Sequence, residues 1–224
     1  NDVIDALKKH EIGYHSNFHS VQPTPSMYCA NLWWDEGVEE FDRREKPGFD
    51  DVQRIFGVAP SCYGQPGSSW TPHSQGAMKK WGMPVYLDAG NHVNLEAKPY
   101  HYGGVLNLYK LEYTMRAKLE SLNTLNEAED RFLEARQKII KEGGGIVSIY
   151  YHPCEFVHKQ FWDGVNFSKG ANPPRSEWKL PPQKTPEETK IAFEVFEKYV
   201  QFIKRFPEVE FITAKQAAEL YKDR

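Results

Sequence analysis

Cysteine, long apolar runs and an excess of one charge are all scarce in this sequence. The 224 residues include three cysteines, which are too few and too widely separated for a disulfide framework. No apolar run approaches the roughly 20 residues that a membrane-spanning helix needs. The formal net charge of −3 provides no basic surface for a nucleic acid. We therefore expect neither membrane insertion nor a nucleic-acid partner.

The length and composition are typical of one globular domain. Hydrophobic residues make up 40% of the chain and charged residues 26%, a balance that allows a substantial core to be buried. We predict a single domain over residues 1–224. Aromatic residues reach 14%, and tryptophans in predicted loops, such as Trp70 and Trp162, offer faces on which sugar rings can stack.

Helical and strand-like patterns alternate along the chain. The spacing of apolar residues predicts helices over 2–10, 76–81, 124–141 and 187–205, and a last helix from Ala214. Strands are predicted at residues 12–14, 84–87, 105–108, 146–151 and 209–212. Residues 20–48 are expected to form a long loop with one helical turn near 36–43, and Asp50 and Asp51 to cap a helix that ends at Phe56. Strands that alternate with helices and end near polar residues predict an α/β fold with a parallel sheet or barrel.

The most distinctive segment runs from Glu11 to His19 and reads EIGYHSNFH. Histidines four residues apart in a helical turn face the same side, so His15 and His19 are candidates to share one metal ion. The zinc-protease motif requires a glutamate directly after the first histidine. Ser16 occupies that position, which excludes this class.

A short strand followed by His-Ser-x-x-His resembles the second motif of the polysaccharide deacetylases (the NodB homology domain, carbohydrate esterase family four). Later segments follow the order of that family. Residues 64–67 lie where the family has Arg-x-Pro-x-Gly, although Gly64 stands in place of the arginine. The predicted strand ending at Asp88 resembles the fourth motif, and the apolar run that ends at His152 resembles the fifth.

The resemblance implies a distorted (β/α) barrel and a metal-dependent hydrolase that removes N- or O-linked acetyl groups from a polysaccharide or oligosaccharide. His15 and His19 would bind a divalent metal, with zinc expected. His152 would be the general acid that protonates the leaving group, and Asp88 would keep that imidazole protonated.

The resemblance also implies a substrate-binding region and a location. A backbone N–H near Tyr63 would stabilise the oxyanion, and Trp70 and Trp162 would contact the carbohydrate. Glu155 follows His152 closely and is a candidate hydrogen-bond partner for it. An extracytoplasmic location is favoured by the family alone, and the sequence does not specify an oligomeric state.

Two departures from the family leave alternatives open. The first motif, which supplies the catalytic base and the third metal ligand, is expected upstream of Asn1, so the barrel would lack its first strand here. Asp50 and Asp51 follow the second motif instead of preceding it, and a helix cap accounts for them. The alternatives are a catalytically impaired carbohydrate-binding relative of the same fold, and a hydrolase of non-peptide C–N bonds in a small molecule.

Overall fold

The computed structural model describes residues 2–88, 98–109 and 116–223. Its α-helices are α1 Asp2–Leu7, α2 Pro25–Tyr28, α3 Trp34–Phe56, α4 His73–Lys80, α5 Leu125–Lys141, α6 Cys154–Val157, α7 Trp162–Asn166, α8 Pro186–Ile203 and α9 Ala214–Tyr221. Its strands are β1 Cys62–Gly64, β2 Val85–Asp88, β3 Tyr100–Tyr102 and β4 Val105–Tyr109. No helix in these ranges is long and apolar enough to cross a membrane.

The chain divides into two compact units. Unit 1 comprises residues 1–112 together with 212–224, and unit 2 comprises residues 113–211. The strands named above all lie in unit 1, whereas α5 to α8 lie in unit 2. The single domain over residues 1–224 stays a prediction.

Unit 1 contains a four-stranded mixed sheet in the order β1-β2-β4-β3. Strands β1, β2 and β4 are parallel, and β3 runs antiparallel to β4. Tyr14 extends the sheet beyond β1, because its N–H donates to the Cys62 carbonyl at 2.8 Å and its carbonyl accepts from the Gly64 N–H at 2.9 Å. The α/β class is thereby confirmed, and so are the strands predicted at 84–87 and 105–108. The barrel stays a prediction.

Helix α3 corrects the predicted loop over residues 20–48. It runs for 23 residues and contains Pro47, which as a helix breaker favoured a loop at this point. The helix continues because one face of it is buried in the core of unit 1, with Val38, Phe41 and Phe49 at helical spacing. This burial offsets the backbone hydrogen bond that a proline cannot make.

The predicted helix cap at Asp50 and Asp51 is wrong for the same reason. Both residues lie inside α3. Asp50 pairs with Lys46, one turn earlier, and Asp51 pairs with Arg54 at 2.7 Å. They are surface carboxylates of a long helix.

Glycines allow α3 and α4 to pack closely. A Cβ atom added to Gly37 of α3 would lie 2.3 Å from the ring of His73 on α4, and one added to Gly76 of α4 would lie 2.5 Å from Val38 on α3. Such distances leave no room for a methyl group in a close-packed interior. The two glycines therefore fix how near the helices approach.

Helix α9 is held to the start of the chain by Glu11, within unit 1. The two Glu11 carboxylate oxygens accept the backbone N–H groups of Ala214 and Lys215, each at 2.8 Å. A carboxylate at a helix N-terminus satisfies unpaired donors and interacts favourably with the helix dipole.

The regular elements described in unit 2 are helices, and its core forms between α5 and α8. Phe132 of α5 and Val195 and Tyr199 of α8 are buried there. The strands predicted at 146–151 and 209–212 do not form; residues 146–151 are irregular except for a single bridge position at Ser148. Instead, Ile149 and Tyr151 pack against the helical core. These two alternate residues are thus partly buried against helices.

Candidate functional site

His15 lies at the carboxyl edge of the parallel strands in unit 1. It directly follows Tyr14, beside the end of β1, and Asp88 ends β2 at the same edge. The Nδ1 atom of His15 donates to the Gly64 carbonyl at 2.8 Å. In the neutral ring the lone pair is then on Nε2, which is the arrangement that metal-ligating histidines adopt when a backbone carbonyl orients them.

The close contact between His15 and β1 accounts for the glycine at position 64. A Cβ atom there would lie 3.2 Å from His15 Nδ1, tighter than side chains normally allow. The arginine that the resemblance leads one to expect would require the imidazole to shift by a few tenths of an ångström. Gly64 belongs to the architecture that holds the histidine.

His15 and His19 are close in space, although they are not in a helix as the sequence analysis assumed. Their segment is irregular, and Ser16 and His19 have left-handed backbone conformations with φ of 72° and 50°. The ring centroids are nevertheless 5.0 Å apart, with an interplanar angle of 65°. With metal–nitrogen bonds of about 2.1 Å, two imidazoles on one tetrahedral ion would have centroids roughly 5 Å apart. The pair has the separation that a shared ion requires.

A buried carboxylate that the sequence analysis missed fixes this histidine loop. The Glu45 side chain, in a residue only 1% exposed, accepts from the Asn17 N–H at 2.7 Å, the Tyr14 hydroxyl at 2.8 Å and, more distantly, the Ser16 hydroxyl at 3.3 Å. Burial is the main cause that raises the pKa of Tyr14, with the charge of Glu45 second. The sequence signal that could have revealed it was a glutamate on the apolar face of α3, where a buried carboxylate needs partners.

The described residues contain no group of three or more His, Cys, Asp or Glu side chains placed to hold a metal ion. The Asp88 side chain lies outside the described part of the chain, so its predicted role stays a prediction. His15 and His19 have a ring separation compatible with one shared ion, and the Nδ1 bond orients His15; their role as metal ligands stays a prediction. The divalent metal itself stays a prediction.

His152 belongs to a cluster of side chains within unit 2. Its Nδ1 lies 2.8 Å from Oε1 of Glu155, and its backbone N–H donates to the same oxygen at 2.9 Å. Arg116 forms an ion pair with Oε2 of Glu155. The Phe161 ring packs edge to face with the imidazole, at a centroid distance of 4.8 Å and an angle of 86°. The His152 side chain is 40% exposed, so solvent reaches the imidazole while the contact with Glu155 orients it.

The aromatic candidates for substrate binding have different surroundings. Tyr63 is fully buried in the core of unit 1, and its hydroxyl donates to Gln65 at 2.7 Å; burial raises its pKa well above the usual value. Trp70 is half-buried against the same core. Trp162 of unit 2 makes an edge contact with Trp178 at 4.9 Å. The tyrosine side chain has no surface for a sugar, while both tryptophans keep some.

No protein-family model matches this chain, and no curated protein matches it. The resemblance to polysaccharide deacetylases therefore depends on the motif residues named above and stays a prediction.

Proposed function

We propose that this protein is a metal-dependent hydrolase that removes N- or O-linked acetyl groups from a polysaccharide or oligosaccharide. The observation that carries the proposal is the histidine pair. His15 and His19 have ring centroids 5.0 Å apart, and His15 lies beside the carboxyl ends of the parallel strands, where α/β proteins place their ligands. The hydrogen bond from His15 to Gly64 supports the same proposal, because it orients the ring.

The resemblance to the deacetylases assigns the roles of the chain's own residues. His15 and His19 would hold a divalent ion, for which zinc is expected from its preference for imidazole nitrogen. When bound, the ion lowers the pKa of a coordinated water and polarises the acetyl carbonyl. His152 would give the proton from its Nε2 atom to the departing nitrogen or oxygen. An amine requires this proton, since its anion is a very poor leaving group.

Zinc binding tests the first part of the proposal independently of catalysis. Titration of the metal-free protein with Zn²⁺ should show one site, and His15→Ala or His19→Ala should weaken it by more than about 100-fold, beyond the usual effect of losing an outer-shell partner. His10→Ala is the matched control, because this exposed histidine lies in the same unit. Equal zinc affinity in all four proteins would refute the metal site.

Acetate release from an N-acetylglucosamine oligomer tests the activity. His152→Ala should lower turnover of this amide about 10²–10⁴-fold, but should change little for an aryl acetate, whose phenolate leaves unprotonated. Binding of the oligomer without acetate release would favour the carbohydrate-binding relative. Hydrolysis of small amides in preference to the oligomer would favour the small-molecule C–N hydrolase.

A further inference from the structure

A single carboxylate oxygen binds His152 at two points. Oε1 of Glu155 accepts the backbone N–H of His152 at 2.9 Å and lies 2.8 Å from Nδ1 of its ring. A carboxylate can only accept, so Nδ1 carries the hydrogen in this contact. The other ring nitrogen, Nε2, is the one that would give a proton to a substrate if His152 is the general acid.

The carboxylate is itself held in place. Arg116 pairs with Oε2 of Glu155, and its guanidinium lies 5.1 Å from the ring centres of both Tyr150 and Tyr151. The Tyr151 hydroxyl in turn donates to the Ala117 carbonyl at 3.0 Å and accepts the Ala117 N–H at 2.7 Å. The Glu155 side chain is only 13% exposed, which strengthens its interaction with a neighbouring charge.

We propose that Glu155, positioned by Arg116, orients the His152 ring and stabilises its protonated form, the role that the sequence analysis assigned to Asp88. The proposal rests on the proposed function, in which His152 is the general acid. During the reaction, the imidazolium gives its Nε2 proton to the leaving group and keeps the Nδ1 proton. Glu155 stays ionised throughout, as a positioning residue that does not touch the substrate.

The charged groups around the imidazole determine whether the protonated form of His152 is favoured or disfavoured. Glu155 on α6 is in direct contact and favours the cation, whereas Arg116 opposes it but is paired with Glu155. Lys184 binds the Glu155 carbonyl at 2.6 Å. The rings of Phe161 and Tyr150, which meet the imidazole edge to face, carry no charge. The carboxylate in contact should therefore dominate.

A purely structural role for Glu155 is the competing explanation. Because its carboxylate accepts the backbone N–H of His152, three residues earlier, it resembles the reciprocal bond of a helix capping box. Such a cap would stabilise the start of α6 without affecting the protonation of the ring. The test must therefore measure the tautomer and the protonation of the His152 ring.

Nitrogen-15 NMR of the histidine rings in the intact protein is that measurement. In the unmodified protein at high pH, neutral His152 should carry its hydrogen on Nδ1, whereas an unconstrained histidine favours Nε2. Glu155→Gln keeps an oxygen that can accept from Nδ1 but loses the charge. The variant should lower the pH of half-protonation of His152 by about 1 unit. The matched control is Glu194→Gln, which removes an exposed carboxylate of the same unit, paired with Lys198.

Two results would overturn the proposal. One is a neutral His152 with its hydrogen on Nε2, which requires no variant and so does not depend on how a variant folds. The other is a midpoint that Glu155→Gln moves no further than Glu194→Gln does. If the protein deacetylates, the alkaline limb of its pH–rate profile should move to lower pH with Glu155→Gln. An inactive protein with the expected NMR result would reject the proposed function while supporting the role of Glu155.

Discussion

Replacement of Glu45 by alanine would test how the histidine loop is held. The buried carboxylate accepts a short hydrogen bond from the Asn17 N–H at 2.7 Å. Bonds to charged groups contribute roughly 1.5–3 kcal/mol, and alanine leaves that N–H without this acceptor. The Tyr14 hydroxyl loses less, because the backbone carbonyl of Glu45 is an alternative acceptor at 2.7 Å.

The other contributions to the change in the free energy of unfolding are small or act in opposite directions. The hydroxyls of Ser16 and Tyr28 lie 3.3 and 3.4 Å from Oε1, too far to add much. Loss of buried methylene contact costs about 1 kcal/mol, while removing a buried charge recovers some desolvation energy. We expect Glu45→Ala to lower the free energy of unfolding by about 3 kcal/mol. Glu45→Gln keeps an acceptor for the N–H and should cost about 1 kcal/mol.

Urea unfolding followed by tryptophan fluorescence measures these differences, and hydrogen exchange at the Asn17 amide localises them. That amide should exchange faster in Glu45→Ala. Glu39→Ala is the matched control on α3, because its side chain is exposed, and its effect should stay within about 0.5 kcal/mol. Equal stability losses for Glu45→Ala and Glu39→Ala, with unchanged exchange at Asn17, would refute the anchoring role.

Two further predictions concern packing and charge. Gly37→Ala should lower the melting temperature, at a cost of about 1–3 kcal/mol, because its Cβ would meet the His73 ring at 2.3 Å. Gly164→Ala, where a Cβ meets nothing within 4 Å, should be neutral or stabilising. A larger loss of stability for Gly164→Ala than for Gly37→Ala would contradict the packing argument. Glu40 forms hydrogen bonds with two arginines of α3, which lower its pKa from 4.5 to about 2. The stability that this pairing contributes is therefore present above pH 4.5 and is lost as the pH falls through about 2. Because the arginines are at least partly exposed, the pairing contributes less than about 1 kcal/mol. Glu40→Gln should therefore be slightly less stable than the parent at pH 7 and equally stable below pH 2. A stability difference that persists below pH 2 would show that the pairing is not its cause.

Local sequence signals determined several elements without help from the rest of the chain. The apolar spacing of α5 was sufficient to predict residues 124–141, which the structure has as Leu125–Lys141. Helix α8 begins with a capping box formed by Thr185 and Glu188, a signal contained in four residues. Strands β2 and β4 were predicted from short apolar runs, the first of which ends at Asp88. These features depend on neighbours along the chain, which the sequence displays directly.

Tertiary contacts decided the remainder. Helix α3 continues through Pro47 because the core of unit 1 buries one of its faces. The run at residues 146–151 is irregular apart from Ser148, and its Ile149 and Tyr151 pack against the helical core of unit 2. The histidine pair was predicted from its motif, but its ring separation results from two left-handed residues and from Glu45, 28 residues beyond Asn17.

The surroundings of His152 show the same division. The sequence placed Glu155 three residues after it, but Arg116, 39 residues before Glu155, was not foreseen. Propensity and periodicity describe interactions over a few residues, whereas a buried carboxylate needs partners that only the folded chain brings within 3 Å. The sequence therefore determined which residue types are available for chemistry, and the tertiary structure decided which of them are oriented, because burial and long-range hydrogen bonds fix side chains that local propensity leaves free.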